Sequence, residues 1–209
     1  MVRTRAPLKT PTEPVAITGI GMITSVGNDR ESVWRAVRRG QSGIRSLSGI
    51  PCFPDGLLIG APVDIAADRP RRLKVVTLSR TAAAEALRDS EIDLTAVDRT
   101  RFGCAISGHM GDTGLLDLQH DPALYGGSDP RAVPWWQQFL PNTACDVVAN
   151  EHGLYGPRIC HSTACASGLI DILSAVRAVE DGECDVALAG RAEAIHPLFA
   201  AGFMRMNVL

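Results

Sequence analysis

Two rhythms of apolar residues alternate along this chain. Short unbroken runs, such as "CDVALAG" at 184–190, suit strands buried on both faces; stretches in which apolar residues return at helical spacing suit helices. "EPVAITGIGMITSVG" at 13–27 predicts a strand running into a glycine-punctuated loop, and "DRESVWRAVRRG" at 29–40 a helix capped by Asp29 and stopped by Gly40. "PCFPDGLLIGAPV" at 51–63 predicts irregular chain with a hairpin. Helix formers then crowd "KVVTLSRTAAAEALRDS" at 74–90, "RFGCAISG" at 101–108 reads as a short buried strand, and "LPNTACDVVANEHGL" at 140–154 as a helix ending before glycine. "GPRICHSTA" at 156–164 predicts a strand, and "CASGLIDILSAVRAVEDGE" at 165–183 a helix with Leu169, Ile170, Ile172, Leu173, Val176 and Val179 as its core-facing stripe. Strands alternating with helices make this an α/β chain.

Composition narrows the chemistry. The chain has 209 residues, 45% of them apolar and 21% charged, enough to bury a sizeable core. A formal net charge of −2 with scattered basic residues offers no patch for nucleic acid or an anionic membrane. The first thirteen residues are polar and proline-containing and predict a flexible tail ahead of a single domain over 14–209. No apolar run reaches the roughly eighteen residues a membrane span needs. The six cysteines, at 52, 104, 145, 160, 165 and 184, form no CxxC pair and fit a reducing cytoplasm better than a disulfide scaffold. Cys160, His161 and Cys165 lack the further ligands a metal centre requires, so no metal is expected. "GIGMITSVG" has neither the spacing nor the downstream acid of a dinucleotide-binding turn.

Within "CHSTACASGLI" at 160–170, Cys165 falls where a predicted strand turns into a helix. Free amides at a helix start favour thiolate over thiol, and they can also bind the oxyanion that develops on an acyl carbon. Nucleophile and oxyanion donor would then coincide in one residue. The competing reading is that Cys165 is a small core residue, as free cysteines often are. His161 could suggest a Cys-His pair, but strand alternation places it on the same face as Thr163 and favours a structural or interface role.

"STACASG" followed by a helix and then "GECDVALAGRAEA" resembles the nucleophile region of the β-ketoacyl synthases, condensing enzymes of the thiolase-like fold. "VAITGIGMITSVGNDRESVWRAVRRGQSGI" is similar to that family's opening strand and helix. "FLPNTACDVVANEHGLYGPRICHSTACASG" is similar to its Pro-Asn helix leading into the nucleophile, and "PLFAAGFMRM" to the helix after the following strand. The match runs from about Pro14 to the last residue. The resemblance implies the N-terminal half of a thiolase-like α/β fold, with a mixed sheet covered by helices. It implies Cys165 as the acyl-accepting nucleophile, its backbone N–H as an oxyanion donor, and Met110, Ala164 and Phe203 beside the acyl chain. It implies no cofactor beyond the acyl-carrier-protein phosphopantetheine or coenzyme A thioester that delivers the acyl group.

The same resemblance marks what this sequence does not contain. The family's two catalytic histidines and supporting lysine lie in the second half of its fold; His109, His120, His152, His161 and His196 occupy none of those motifs, and the lysines are Lys9 and Lys74. Arg191 stands where the family has a small residue, so a closely packed strand end must make room for a guanidinium. "SGHMGDTG" replaces a glycine-richer loop. The expectation is therefore an acyltransferase of fatty-acid or polyketide synthesis, represented here by its nucleophile half. It would act as a homodimer or with a partner bearing the C-terminal half, with apolar helix and sheet surface left uncovered in the chain alone. The alternative is a non-catalytic subunit that only pairs with such a half. A cysteine hydrolase or redox protein would need a base or resolving thiol for which the sequence offers no candidate.

Overall fold

The computed structural model describes residues 14–50, 53–65, 73–108, 140–194 and 197–208. Its centre is β3 (Phe102–Gly108), flanked by β4 (Arg158–Ile159) and β5 (Val186–Ala192), both parallel to it. The register sets Cys104 beside Arg158 and Ser107 beside Arg191. A separate antiparallel ribbon joins β1 (Arg45–Ser46) to β2 (Ile59–Gly60), so the hairpin expected near residue 51 reaches back to residue 45.

Side-chain alternation along β3 decides what lies on each face of the sheet. Phe102, Cys104 and Ile106 pack with Ala144, Cys145, Val148, Ala149 and Leu154, from α3 (Thr143–His152) and the chain just after it. α2 (Lys74–Asp89) lies alongside α3 and adds Ala83 to that core. Ser107 points the other way, to α4 (Ser167–Glu180). Covered on both sides, β3 is buried at every position from Phe102 to Ser107, as its continuous apolar run predicts. α3 ends at Gly153, whose φ of +64° is the left-handed conformation that closes a helix.

α1 (Arg30–Arg38) starts as its sequence predicts. Ser32 N–H donates to the Asp29 carboxylate at 2.8 Å, and Asp29 N–H to Ser32 Oγ at 3.3 Å. The final helix, α5 (Pro197–Arg205), carries Phe199 and Phe203, both exposed. No helix among the described residues is long and apolar enough to cross a membrane.

Three expectations change. First, the segment from Pro14 to Ile23 joins no sheet among the described residues. It lies along α2 instead, with Ile20 N–H on Asp89 Oδ2 at 2.9 Å and Met22 N–H on Glu85 Oε2 at 2.8 Å. Glycine makes this approach possible, because a Cβ at Gly19 or Gly21 would come within 2.2 or 1.9 Å of helix carbonyls. Second, the strand expected over 156–164 contracts to Arg158–Ile159. His161 leaves the ladder because its N–H and carbonyl both turn to Ser107 Oγ, at 3.2 and 2.8 Å.

Third, α4 buries the opposite face from the one its apolar stripe predicts. Ser167, Asp171, Ala175 and Ala178 are turned inward. Leu169, Ile172 and Leu173 are exposed, Leu169 to 74%, and Ile170, Val176 and Val179 are only half-buried. The cause is close packing: a Cβ on Gly168 would sit 3.1 Å from Arg191 Cβ, so small side chains line the contact with the sheet. Leu169, Ile172 and Leu173 keep much of their surface uncovered among the described residues.

Candidate active site

The site forms at the carboxyl ends of the three parallel strands, the edge where open α/β sheets bind ligands. Beyond β4 the chain passes through His161 to Thr163, makes a single 3-10 turn over Ala164–Ala166, and continues into α4 at Ser167. The sequence predicts that the helix starts at Cys165; the α-helix proper starts two residues later, and Cys165 occupies the preceding turn. Its thiol is exposed, and its N–H has no acceptor among the described residues.

That turn is tied down at several atoms. Thr163 N–H donates to Ser167 Oγ at 3.0 Å, and Ala166 N–H to the Thr163 carbonyl at 3.2 Å. Ala164 has φ +49°, a left-handed conformation that costs a residue with a Cβ roughly 1–2 kcal/mol. Surrounding contacts must hold such a residue in place. Two of them converge on its carbonyl: the Ser167 N–H and, at 2.6 Å, Arg191 Nη1 from the end of β5. The Arg191 guanidinium also pairs with the Glu193 carboxylate. The guanidinium for which this strand end had to make room therefore lies against the turn that bears Cys165.

On the inner side of α4, Asp171 is fully buried. One carboxyl oxygen meets Ser107 Oγ, and the other lies 2.7 Å from His161 Nδ1. This group was not legible in the sequence, although an aspartate inside an apolar helix with a histidine ten residues upstream was the available signal. His161 is thus engaged with Asp171 and makes no hydrogen bond to Cys165 among the described residues. Met110 lies outside the described residues, as do His109, His120 and His196. Phe203 is exposed on α5, and Ala164 adjoins Cys165 in the 3-10 turn. A cleft of about 310 Å³ lies elsewhere, between His161 and the later turns of α4 at Arg177 and Asp181.

The remaining described thiols sit in different surroundings. Burial pushes Cys160 and Cys184 above the usual thiol range. Cys104 is pushed up by its hydrogen bonding with Cys145 and by burial. Among the described residues, His, Cys, Asp and Glu form no cluster suited to a metal ion.

Comparison with known proteins decides the family. Residues 12–77 and 74–209 match the model of the β-ketoacyl synthase N-terminal domain. This chain belongs to that family. It is 33% identical over 202 residues to 3-oxoacyl-[acyl-carrier-protein] synthase 2 of Vibrio cholerae, covering 90% of this chain and 48% of the relative. It is 31% identical over 209 residues to the ketoacyl synthase alpha subunit of the tetracenomycin polyketide synthase of Streptomyces glaucescens, again covering 90% and 48%. The chain thus spans about half the length of the curated relatives it matches. The thiolase-like ketosynthase fold is shared with a type II polyketide ketosynthase solved in complex with its acyl-carrier protein, with TM-score 0.66 and 19% identity over 91% of this chain and 54% of that one.

Proposed function

We propose that this chain carries the acyl-accepting half of a β-ketoacyl synthase of fatty-acid or polyketide synthesis. The observation that carries the reading is Cys165: an exposed thiol in a constrained turn, with an unengaged backbone N–H, ahead of a helix and at the carboxyl edge of a parallel sheet. The Cys165 sulfur attacks the carbonyl carbon of an acyl thioester, and its own N–H receives the developing oxyanion. Collapse of the tetrahedral intermediate breaks the bond to the carrier sulfur, which leaves as thiolate and takes up a proton. The acyl group remains on Cys165. An acyl-carrier protein is the proposed donor, in line with the carrier-bound ketosynthase structure.

Condensation makes further demands. Decarboxylating a malonyl thioester and stabilising the resulting enolate need acid–base and electrostatic groups worth about 100-fold to 10,000-fold each. By family resemblance these are histidines in the second half of the fold. The exposed apolar residues of α4, Leu169, Ile172 and Leu173, support a reading in which that half seats against this helix, within a homodimer or from a partner.

The test is acylation mapped by mass spectrometry. Incubated with an acyl-coenzyme A or acyl-carrier thioester, the chain gains one acyl group on Cys165, and Cys165→Ala gains none. Iodoacetamide at neutral pH labels Cys165 ahead of Cys160 and Cys184, whose burial disfavours the thiolate, and ahead of Cys104, where hydrogen bonding with Cys145 and burial do so. Acylation that persists in Cys165→Ala overturns the reading.

A further inference from the structure

We infer that Arg191 is a positioning residue that aims the Cys165 N–H at the oxyanion by holding the carbonyl on the other side of the same peptide unit. The inference rests on the reading of Cys165 as the acyl acceptor. It begins with the planarity of the peptide bond: the Ala164 carbonyl and the Cys165 N–H lie in one plane and point in opposite directions. Whatever fixes the carbonyl also fixes the direction of the N–H.

Two donors fix it. The Ser167 N–H belongs to the turn itself and moves with it. Arg191 belongs to β5 and anchors the peptide to the sheet through the 2.6 Å contact from Nη1. The sheet register explains why Arg191 can reach. It lies beside Ser107, in-register neighbours on parallel strands point to the same face, and Ser107 faces α4 through Asp171. Glu193 takes part of the remaining guanidinium and limits its rotation. Gly168, whose missing Cβ lets the first turn of α4 approach Arg191, completes the fit.

The anchor matters because the peptide it holds is not at rest. Ala164 at φ +49° is in a conformation that residues with a Cβ rarely adopt, and relaxing it by turning about its own N–Cα bond would carry the following peptide with it. Such a rotation would swing the Cys165 N–H away from the thiol's reaction zone. A cationic donor on the carbonyl also polarises the peptide and makes its N–H a stronger donor. Among the described residues Arg191 makes no hydrogen bond to the thiol, and it acts through the peptide it holds.

The experiment separates oxyanion chemistry from thiol accessibility. Second-order rates of Cys165 modification are measured with hexanoyl-coenzyme A, which passes through an oxyanion, and with iodoacetamide, which does not. Arg191→Met is expected to slow acylation by about 10-fold or more while leaving alkylation within about twofold, and Arg191→Lys, which keeps a cationic donor, to retain most of the acylation rate. A parallel fall in both rates, or acylation in Arg191→Met at the wild-type rate, overturns the inference. If the wild-type chain is alkylated but never acylated, the acyl-acceptor reading fails instead. A crystal structure of Arg191→Met still decides the positioning claim in that case: an Ala164–Cys165 peptide rotated from its wild-type plane supports it, and an unmoved one overturns it.

Discussion

β3 and α4 are both rich in apolar residues, yet they stand in opposite relations to the rest of the chain. β3 is enclosed: α3 packs on one face and α4 on the other, and Phe102, Cys104 and Ile106 are at most 4% exposed. α4 is half enclosed, with small and polar residues against the sheet and Leu169, Ile172 and Leu173 turned outward. The same contrast recurs at the N-terminus, where Val15, Ile17, Ile20 and Met22 are exposed on a segment whose backbone is tied to α2. Apolar content therefore has two fates here: one part builds a core within the chain, and the other stays exposed among the described residues.

The largest effect expected from this contrast is on stability. Leu154→Ala, in the fully buried core, should cost about 2–5 kcal/mol in chemical denaturation, whereas Leu169→Ala should fall within about 0.5 kcal/mol. Measured below the concentration at which the chain associates, equal costs would mean that α4 is covered by this same chain. Association is the next measure. Light scattering at micromolar concentration should show dimers or larger species, and Leu169→Glu combined with Ile172→Glu should shift them toward monomer. A wild-type chain that is already monomeric would remove the argument that the outward face seeks a partner.

The smallest effect is local and independent of any cover. Hydrogen bonds from Ser32 hold the Asp29 carboxyl below its usual 3.8. A carboxyl whose value is depressed in the folded state stabilises the fold above its unfolded value, and that contribution is lost as pH falls through the folded one. Asp29→Ala should therefore lower the melting temperature slightly at pH 7, with the difference from wild type shrinking as the solution is acidified through the carboxyl's depressed folded value. A gap that widens on acidification would mean that the cap acts other than through its charge.

Much of the enclosed region was legible in the sequence because its signals are local. The Asp29 cap, the glycine stop of α3 and the continuous run of β3 are each determined by a few adjacent residues. The turn bearing Cys165 could be placed for the same reason. What the sequence did not disclose depends on partners distant along the chain. Periodicity located an apolar stripe on α4 but could not say which face would meet the sheet; that depended on how closely Gly168 and Arg191 approach. The strand expected near Val15 needs a neighbour to become one. Ala164 carries no sequence mark of positive φ, since alanine is not a residue that favours it, and Arg191 drew notice as an oversized side chain before its use was visible.

Asp171 gives α4 something its apolar residues cannot, which is a fixed axial setting. Leucine and isoleucine faces tolerate sliding, because any smooth hydrocarbon surface accepts them nearly as well one step along. A buried carboxyl accepts few positions, and here its two oxygens are matched by Ser107 and His161. Sliding the helix by one turn, about 5.4 Å, would leave that carboxyl facing hydrocarbon at a cost of about 1–3 kcal/mol or more. The residue works as an indexing pin: it admits the helix at one notch, and the thiol six residues earlier inherits that setting.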